Sequence, residues 1–176
     1  MKTNFLFFIG FYLLLGISTL KAQDKLFKTS DLLNRELYPE TMSNLNWMGD
    51  SESFTFIKNN ALILKSAVDT SVTDTILKVT DLNNKLKDLH EEELNRFAGI
   101  TWLDQQRFYF VNDNAVYLFN RADSVLKKEN DWDKESDNLN IDTKSLSVAY
   151  TIGNNLFVAV NGRKMQVSNE TGNNIL

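Results

Sequence analysis

Apolar and polar residues alternate at period two in short runs along most of this chain, and the runs come in sets of three. The first set is Trp47-Met48-Gly49-Asp50, then Ser53-Phe54-Thr55-Phe56-Ile57, then Asn59-Asn60-Ala61-Leu62-Ile63-Leu64. The second is Trp102-Leu103-Asp104, Arg107-Phe108-Tyr109-Phe110-Val111 and Asp113-Asn114-Ala115-Val116-Tyr117-Leu118-Phe119. The third is Leu139-Asn140-Ile141-Asp142, Leu146-Ser147-Val148-Ala149-Tyr150 and Asn154-Asn155-Leu156-Phe157-Val158-Ala159-Val160. Each set reads as strand, Asp turn, strand, Asn-rich turn, strand. The central asparagines, taken as Asn60, Asn114 and Asn155, are 54 and 41 residues apart, close to the period of about 40–50 of propeller blades. Ala61–Leu64, Phe108–Val111 and Phe157–Val160 are apolar on both faces, as strands buried between neighbouring sheets require.

Turn chemistry sets the boundaries. Asn59-Asn60, Asp113-Asn114 and Asn154-Asn155 supply residues that tolerate positive φ, and Asn161-Gly162 is the strongest hairpin signal in the chain. Fourth strands are expected at 74–79, 124–128 and 164–167. The expectation is an all-β, partial β-propeller of about three four-stranded antiparallel blades, at about 43–82, 97–131 and 137–170, within an incomplete propeller at 43–176. Leu86, Leu89, Glu93 and Leu94 have helical spacing, which predicts a short amphipathic helix inside 83–96. Residues 23–42 form a lead-in, where Thr29 or Ser30 caps a helical turn that Pro39 ends. Three blades do not close a ring of about four to eight, so the chain reads as truncated. A naturally short three-unit sheet protein is the alternative.

The amino terminus changes the picture by adding a targeting segment. Lys2 precedes Phe5–Leu20, sixteen residues that are almost wholly apolar. That is long for a signal h-region and short for a span of about 20 residues. Residues 1–22 are therefore expected to be a signal peptide, cleaved after Ser18 or Ala22, or an uncleaved anchor helix through 5–20. Either way the remainder is exported, periplasmic or membrane-anchored facing the periplasm. The chain has no cysteine, so neither a disulfide nor thiolate chemistry supports it. A net charge of −4 without a basic patch argues against nucleic acid.

Candidate chemistry is sparse. His90 is the one histidine, and no G-x-S-x-G elbow exposes a nucleophilic serine. His90-Glu91-Glu92-Glu93 is not H-E-x-x-H, because Leu94 stands where the second ligand would be. It reads as a solvated acidic face of the connecting helix. Asp50, Asp104 and Asp142 recur as turn residues, and Trp47 and Trp102 recur as inter-blade packing rather than ligand stacking. No catalytic residue, metal site or cofactor is expected, and no substrate-binding residue can be named.

Three stretches carry a resemblance. Phe27-Lys28-Thr29-Ser30-Asp31-Leu32-Leu33 with Glu36-Leu37-Tyr38-Pro39, then Leu45-Asn46-Trp47-Met48-Gly49-Asp50 with Phe54-Thr55-Phe56, then Val148-Ala149-Tyr150-Thr151-Ile152-Gly153-Asn154-Asn155-Leu156-Phe157-Val158 occur in that order. Over about residues 26–176 the chain resembles the N-terminal β-propeller of dipeptidyl peptidase IV-like proteins in the prolyl oligopeptidase family. The resemblance implies an exported serine exopeptidase whose α/β-hydrolase domain, absent here, acts on peptide substrates. In that family a propeller glutamate pair holds the substrate ammonium and so fixes the cleavage register. Glu91, Glu92 and Glu93 come too early for that pair, and Arg107 lacks the context of the family's propeller arginine, so no functional residue transfers. A non-enzymatic periplasmic propeller, acting as a binding or scaffold module, is the alternative function.

Overall fold

A computed structural model describes Ser30 and residues 41–170. The signal or anchor segment and the lead-in turn lie outside the described residues, Ser30 apart. Among those residues no helix is long and apolar enough to cross a membrane.

Three four-stranded antiparallel sheets follow one another in the chain, each with its strands in sequence order. The first holds β1 (Ser43–Trp47), β2 (Ser53–Lys58), β3 (Ala61–Ser66) and β4 (Thr73–Lys78). A helix, α1 (Val79–Asp88), leads on to β5 (Ile100–Trp102), β6 (Arg107–Asn112), β7 (Ala115–Asn120) and β8 (Val125–Asp131). The third sheet is β9 (Asp137–Ile141), β10 (Val148–Ile152), β11 (Asn155–Val160) and β12 (Arg163–Gln166). The expected architecture of four-stranded blades is present in all three.

Positive-φ residues close the hairpins where the sequence supplied them, with one shift. Asn59 and Asn60 (φ 51° and 57°) join β2 to β3, and Asn161 and Gly162 (φ 50° and 73°) join β11 to β12. In the third sheet Gly153 takes the positive φ, 57°, whereas Asn155 is already paired with Ile152 in the ladder. The turn is therefore Gly153-Asn154, not Asn154-Asn155. Asn154 is the structural counterpart of Asn60 and Asn114, each of which immediately precedes the second central strand of its sheet.

The helix also departs from expectation. It begins directly after β4 and ends at Asp88, because Leu82 and Leu86, four residues apart on one face, are fully buried. Asp81 in the first turn and Lys85 and Lys87 in the last suit the helix dipole. Leu89, on which the later helix depended, is exposed at the cap. The connector beyond it is irregular, fastened by Asn83, whose amide donates to Leu94 O and whose oxygen accepts from Leu94 N.

Two apolar clusters hold the sheets face to face. One joins Leu62 and Leu77 of the first sheet and Leu82 and Leu86 of α1 to Phe108, Phe110, Tyr117 and Phe119 of the second. The other joins Val116 and Trp132 to Leu146, Val148, Tyr150 and Ala159 of the third. Because side chains alternate across a strand, Val116 and Tyr117 point into different clusters. The second sheet is thus buried on both faces, as its apolar runs required.

Candidate functional site

Polar chemistry concentrates where the connector meets the second and third sheets, and the end of α1 creates it. Leu89 caps the helix, His90 takes a left-handed φ of 60°, and the chain reverses. His90 N donates to Lys87 O at 3.0 Å and Glu91 N to Leu86 O at 2.9 Å, the paired bonds of a Schellman ending. His90 is thus a helix terminator. Sequence reading placed it with Glu91, Glu92 and Glu93 on a solvated helix face. Instead all four lie past the helix, and Glu91 turns inward.

Glu91 accepts from the Tyr117 hydroxyl and from Lys128 Nζ, both at 2.8 Å. Lys128 also pairs with Asp131 at 3.2 Å, and Lys164 bridges Asp131 and Asp133 at 3.0 Å each. The result is a chain of alternating charge running from the connector through β8 to β12. The Lys128 hydrogen bond holds the Glu91 carboxyl below its usual range, and the Glu91 bond holds Lys128 above its own. Burial alone would raise Asp131, but Lys164 and Lys128 outweigh it and leave it lowered. Burial and the Glu91 carboxylate together push the Tyr117 phenol up. Glu91 and Asp131 are therefore held as ions against lysines. Such groups clamp elements together, and none is poised near neutrality as a general base would be.

Tyr150 abuts this cluster. Its hydroxyl is buried without a hydrogen bond. Burial first, then the charge of Asp133, raises its pKa.

A second polar region lies at the β1–β2 and β5–β6 turns. An open cleft of about 640 Å³ is lined there by Gly49, Asp50, Asp104, Arg107 and Asn120. Asp104 accepts from Gln106 N and Arg107 N at 2.8 Å and pairs with the Arg107 guanidinium at 2.7 Å. Burial would raise its carboxyl, but these bonds leave it lowered. Asp142 does the same for Ser145, whose hydroxyl and N–H both donate to it and hold its pKa down. Asp104 and Asp142 are turn residues as expected. Asp50 is not their equivalent, because Ser51 takes the role, its Oγ donating to Met48 O and accepting from Ser53 N. Gly49 is needed: at φ 56° a Cβ would stand 3.1 Å from the Asp104 backbone.

The two tryptophans diverge. Trp102 Nε1 donates to Thr55 Oγ1 of the preceding sheet at 2.8 Å, which is inter-sheet packing as expected. Trp47 is 61% exposed and meets only Phe54, edge-on at 6.1 Å, so it joins no sheets among the described residues. The pair across the second and third sheets was missed in the sequence. Asn130, 2% exposed, donates to Leu146 O at 2.7 Å and accepts from Gly162 N at 2.8 Å. Trp132 belongs to the apolar cluster with Val116 and Leu146, and its carbonyl accepts from the Asn114 side chain. Neither residue belongs to a recurring phrase, so repetition gave no signal for them. Among the described residues no cluster of three or more His, Asp or Glu could hold a metal.

No family model and no curated protein matches the chain. Solved structures do. A protein assigned as a dipeptidyl aminopeptidase IV from Bacteroides ovatus aligns over 74% of this chain at 18% identity, with a TM-score of 0.61. The chain shares its fold with part of that protein. The part is small, since the alignment spans 18% of the Bacteroides chain. Dipeptidyl peptidase 4 of Porphyromonas gingivalis aligns over 84% of this chain and 22% of its own, at 13% identity and a TM-score of 0.43. The N-terminal domain of Nup159 aligns over 70% of this chain and 29% of its own, at 10% identity and a TM-score of 0.37. By the fold shared with the Bacteroides protein, the three stacked sheets are successive blades of a partial β-propeller.

Proposed function

We propose that this chain is propeller from an exported serine exopeptidase of the dipeptidyl peptidase IV type. The observation that carries the reading is the fold shared with the Bacteroides ovatus dipeptidyl aminopeptidase IV, in agreement with the order of the three resembling stretches. Hydrolysis belongs to a hydrolase domain outside residues 1–176, and the propeller limits which peptides reach it. Nothing in the charge chain contradicts this division of labour. Its carboxylates are neutralised by lysines, so they serve the scaffold rather than a substrate ammonium.

The test is enzymatic. The complete polypeptide, with any residues that follow Leu176, should release dipeptide from a Gly-Pro chromogenic substrate and lose that activity to a serine-directed inhibitor. The 176-residue chain alone should match a buffer control. An inert complete polypeptide would favour a binding or scaffold propeller, and inhibitor-sensitive turnover by the chain alone would overturn the assignment of the chemistry elsewhere.

A further inference from the structure

Asn161-Gly162 is the one asparagine–glycine pair in the chain, and it can do chemistry that the other hairpin turns resist. The Asn161 side-chain amide carbon and the Gly162 nitrogen are placed to close a five-membered ring. Glycine leaves that approach open, and a Cβ at Gly162 would meet nothing within 4 Å. In Asn60-Ala61, Asn114-Ala115 and Asn154-Asn155 a side chain stands beside the corresponding nitrogen. In the folded chain, however, the Gly162 nitrogen is engaged. It donates to Asn130 Oδ1 at 2.8 Å, and Asn130 Nδ2 donates to Leu146 O at 2.7 Å. Asn130 is buried on β8, so the second sheet fixes the acceptor for a turn in the third. Two residues on, Lys164 pairs with Asp131 and Asp133 at 3.0 Å each. Val160 and Arg163 are paired in the ladder on either side of the turn, and Asn161 and Gly162 hold φ at 50° and 73°. Ring closure requires the Gly162 nitrogen to shed its proton and swing toward the Asn161 side chain. A proton held by a buried acceptor opposes the first movement, and a turn fixed at both ends opposes the second.

We propose that Asn161 is a self-modification site, dormant while the second and third sheets are docked and released when their joint opens. The Gly162 nitrogen loses its proton and bonds to Asn161 Cγ. The Cγ–Nδ2 bond breaks, and the nitrogen leaves with a proton as ammonia, giving a cyclic imide. Water then opens the ring. Cutting the new bond leaves aspartate at 161, and cutting the original peptide bond leaves isoaspartate. Solvent water is the sole co-reactant. The imide nitrogen carries no hydrogen, so the bond to Asn130 Oδ1 is lost for as long as the ring lasts. Isoaspartate then adds a main-chain carbon to a two-residue hairpin loop whose length sets the register of β11 and β12. A joint that opens long enough to react therefore does not close as it was, and the modification records the opening. The inference uses only the second and third sheets and does not rest on the peptidase reading.

The test follows conversion at Asn161 in the full chain at mildly alkaline pH, by peptide mass spectrometry with enzymatic methylation to mark isoaspartate. The folded chain should convert at least about tenfold more slowly than the same chain unfolded in urea. Asn130→Ala removes the acceptor and should speed the folded chain about tenfold. Lys164→Gln, at an exposed position, loosens the same joint without touching the Gly162 nitrogen and should speed conversion by less. Thr55→Val removes the acceptor of the Trp102 indole at the other joint and should leave the rate unchanged. Near-ultraviolet circular dichroism checks that each variant is folded. Should Asn130→Ala fail that check, Lys164→Gln against Thr55→Val decides. Equal rates for the folded and urea-unfolded chain would overturn the proposal. So would folded variants of the second joint that convert no faster than the unaltered chain, or a Thr55→Val chain that converts as fast as they do.

Discussion

The left-handed backbone at His90, φ 60°, costs a residue bearing a Cβ roughly 1–2 kcal/mol. Glycine escapes that cost but loses about 0.5–1 kcal/mol of conformational entropy on folding. His90→Gly should therefore raise stability by about 0.5–1 kcal/mol, read as a higher urea midpoint at unchanged slope. A fall in stability would mean that the imidazole makes a contact of its own. Asn130 carries the opposite expectation. Asn130→Ala removes a buried bridge and strands Leu146 O and Gly162 N, so it should cost about 2–3 kcal/mol. A loss within about 0.5 kcal/mol, as for an ordinary surface site, would show that the bridge does not join the sheets.

Between elements, the charge chain makes the hold of the connector on the second sheet sensitive to acid. The folded-state pKa of Glu91 is depressed by Lys128. Its contribution is therefore fully present above the unfolded value and is lost as pH falls through the folded one. Lys128, raised by Glu91, contributes below its unfolded value and loses that contribution as pH rises through the folded one. Between about pH 6 and pH 3 the unaltered chain should lose more stability than Glu91→Gln, followed by thermal melting across the range. Asp131, also depressed, keeps its partner Lys164 in the variant, so acid sensitivity should shrink rather than vanish. Equal losses in both chains would remove Glu91 from the clamp. Elements were legible in the sequence where local chemistry decides them. Period-two runs and Asn or Gly turns marked all twelve strands of the three sheets to within a few residues. The helix was misplaced because Leu86, Leu89 and Leu94 offer one periodicity and Leu82 and Leu86 another, and burial against the second sheet chose between them. The ion pairs could not be read at all: Glu91, Lys128 and Lys164 are distant in sequence and meet only after the sheets stack.

For the molecule as a whole, repetition made the architecture readable and also limited what could be read. The phrases around Asp104 and Asp142 do the same work in successive turns, yet Asp50 yields its role to Ser51, and among the described residues Trp47 has no counterpart of the bond that Trp102 makes to Thr55. Equivalence in sequence thus fixes where a residue sits in its sheet, while the neighbouring sheet fixes what it does. The peptidase proposal rests on the shared fold rather than on any single residue. Stacking of consecutive sheets is the claim on which the blades and the charge chain both depend. Nuclear Overhauser contacts from the indole N–H of Trp102 examine it at one joint, with Trp47 as the exposed reference. Stacked sheets require a cross-peak from the Trp102 indole to the Thr55 methyl, 47 residues away in the chain, and none from Trp47 to a neighbouring sheet in the monomer. A Trp102 indole that exchanges freely with water and sees only Phe108 of its own sheet would contradict the stacking.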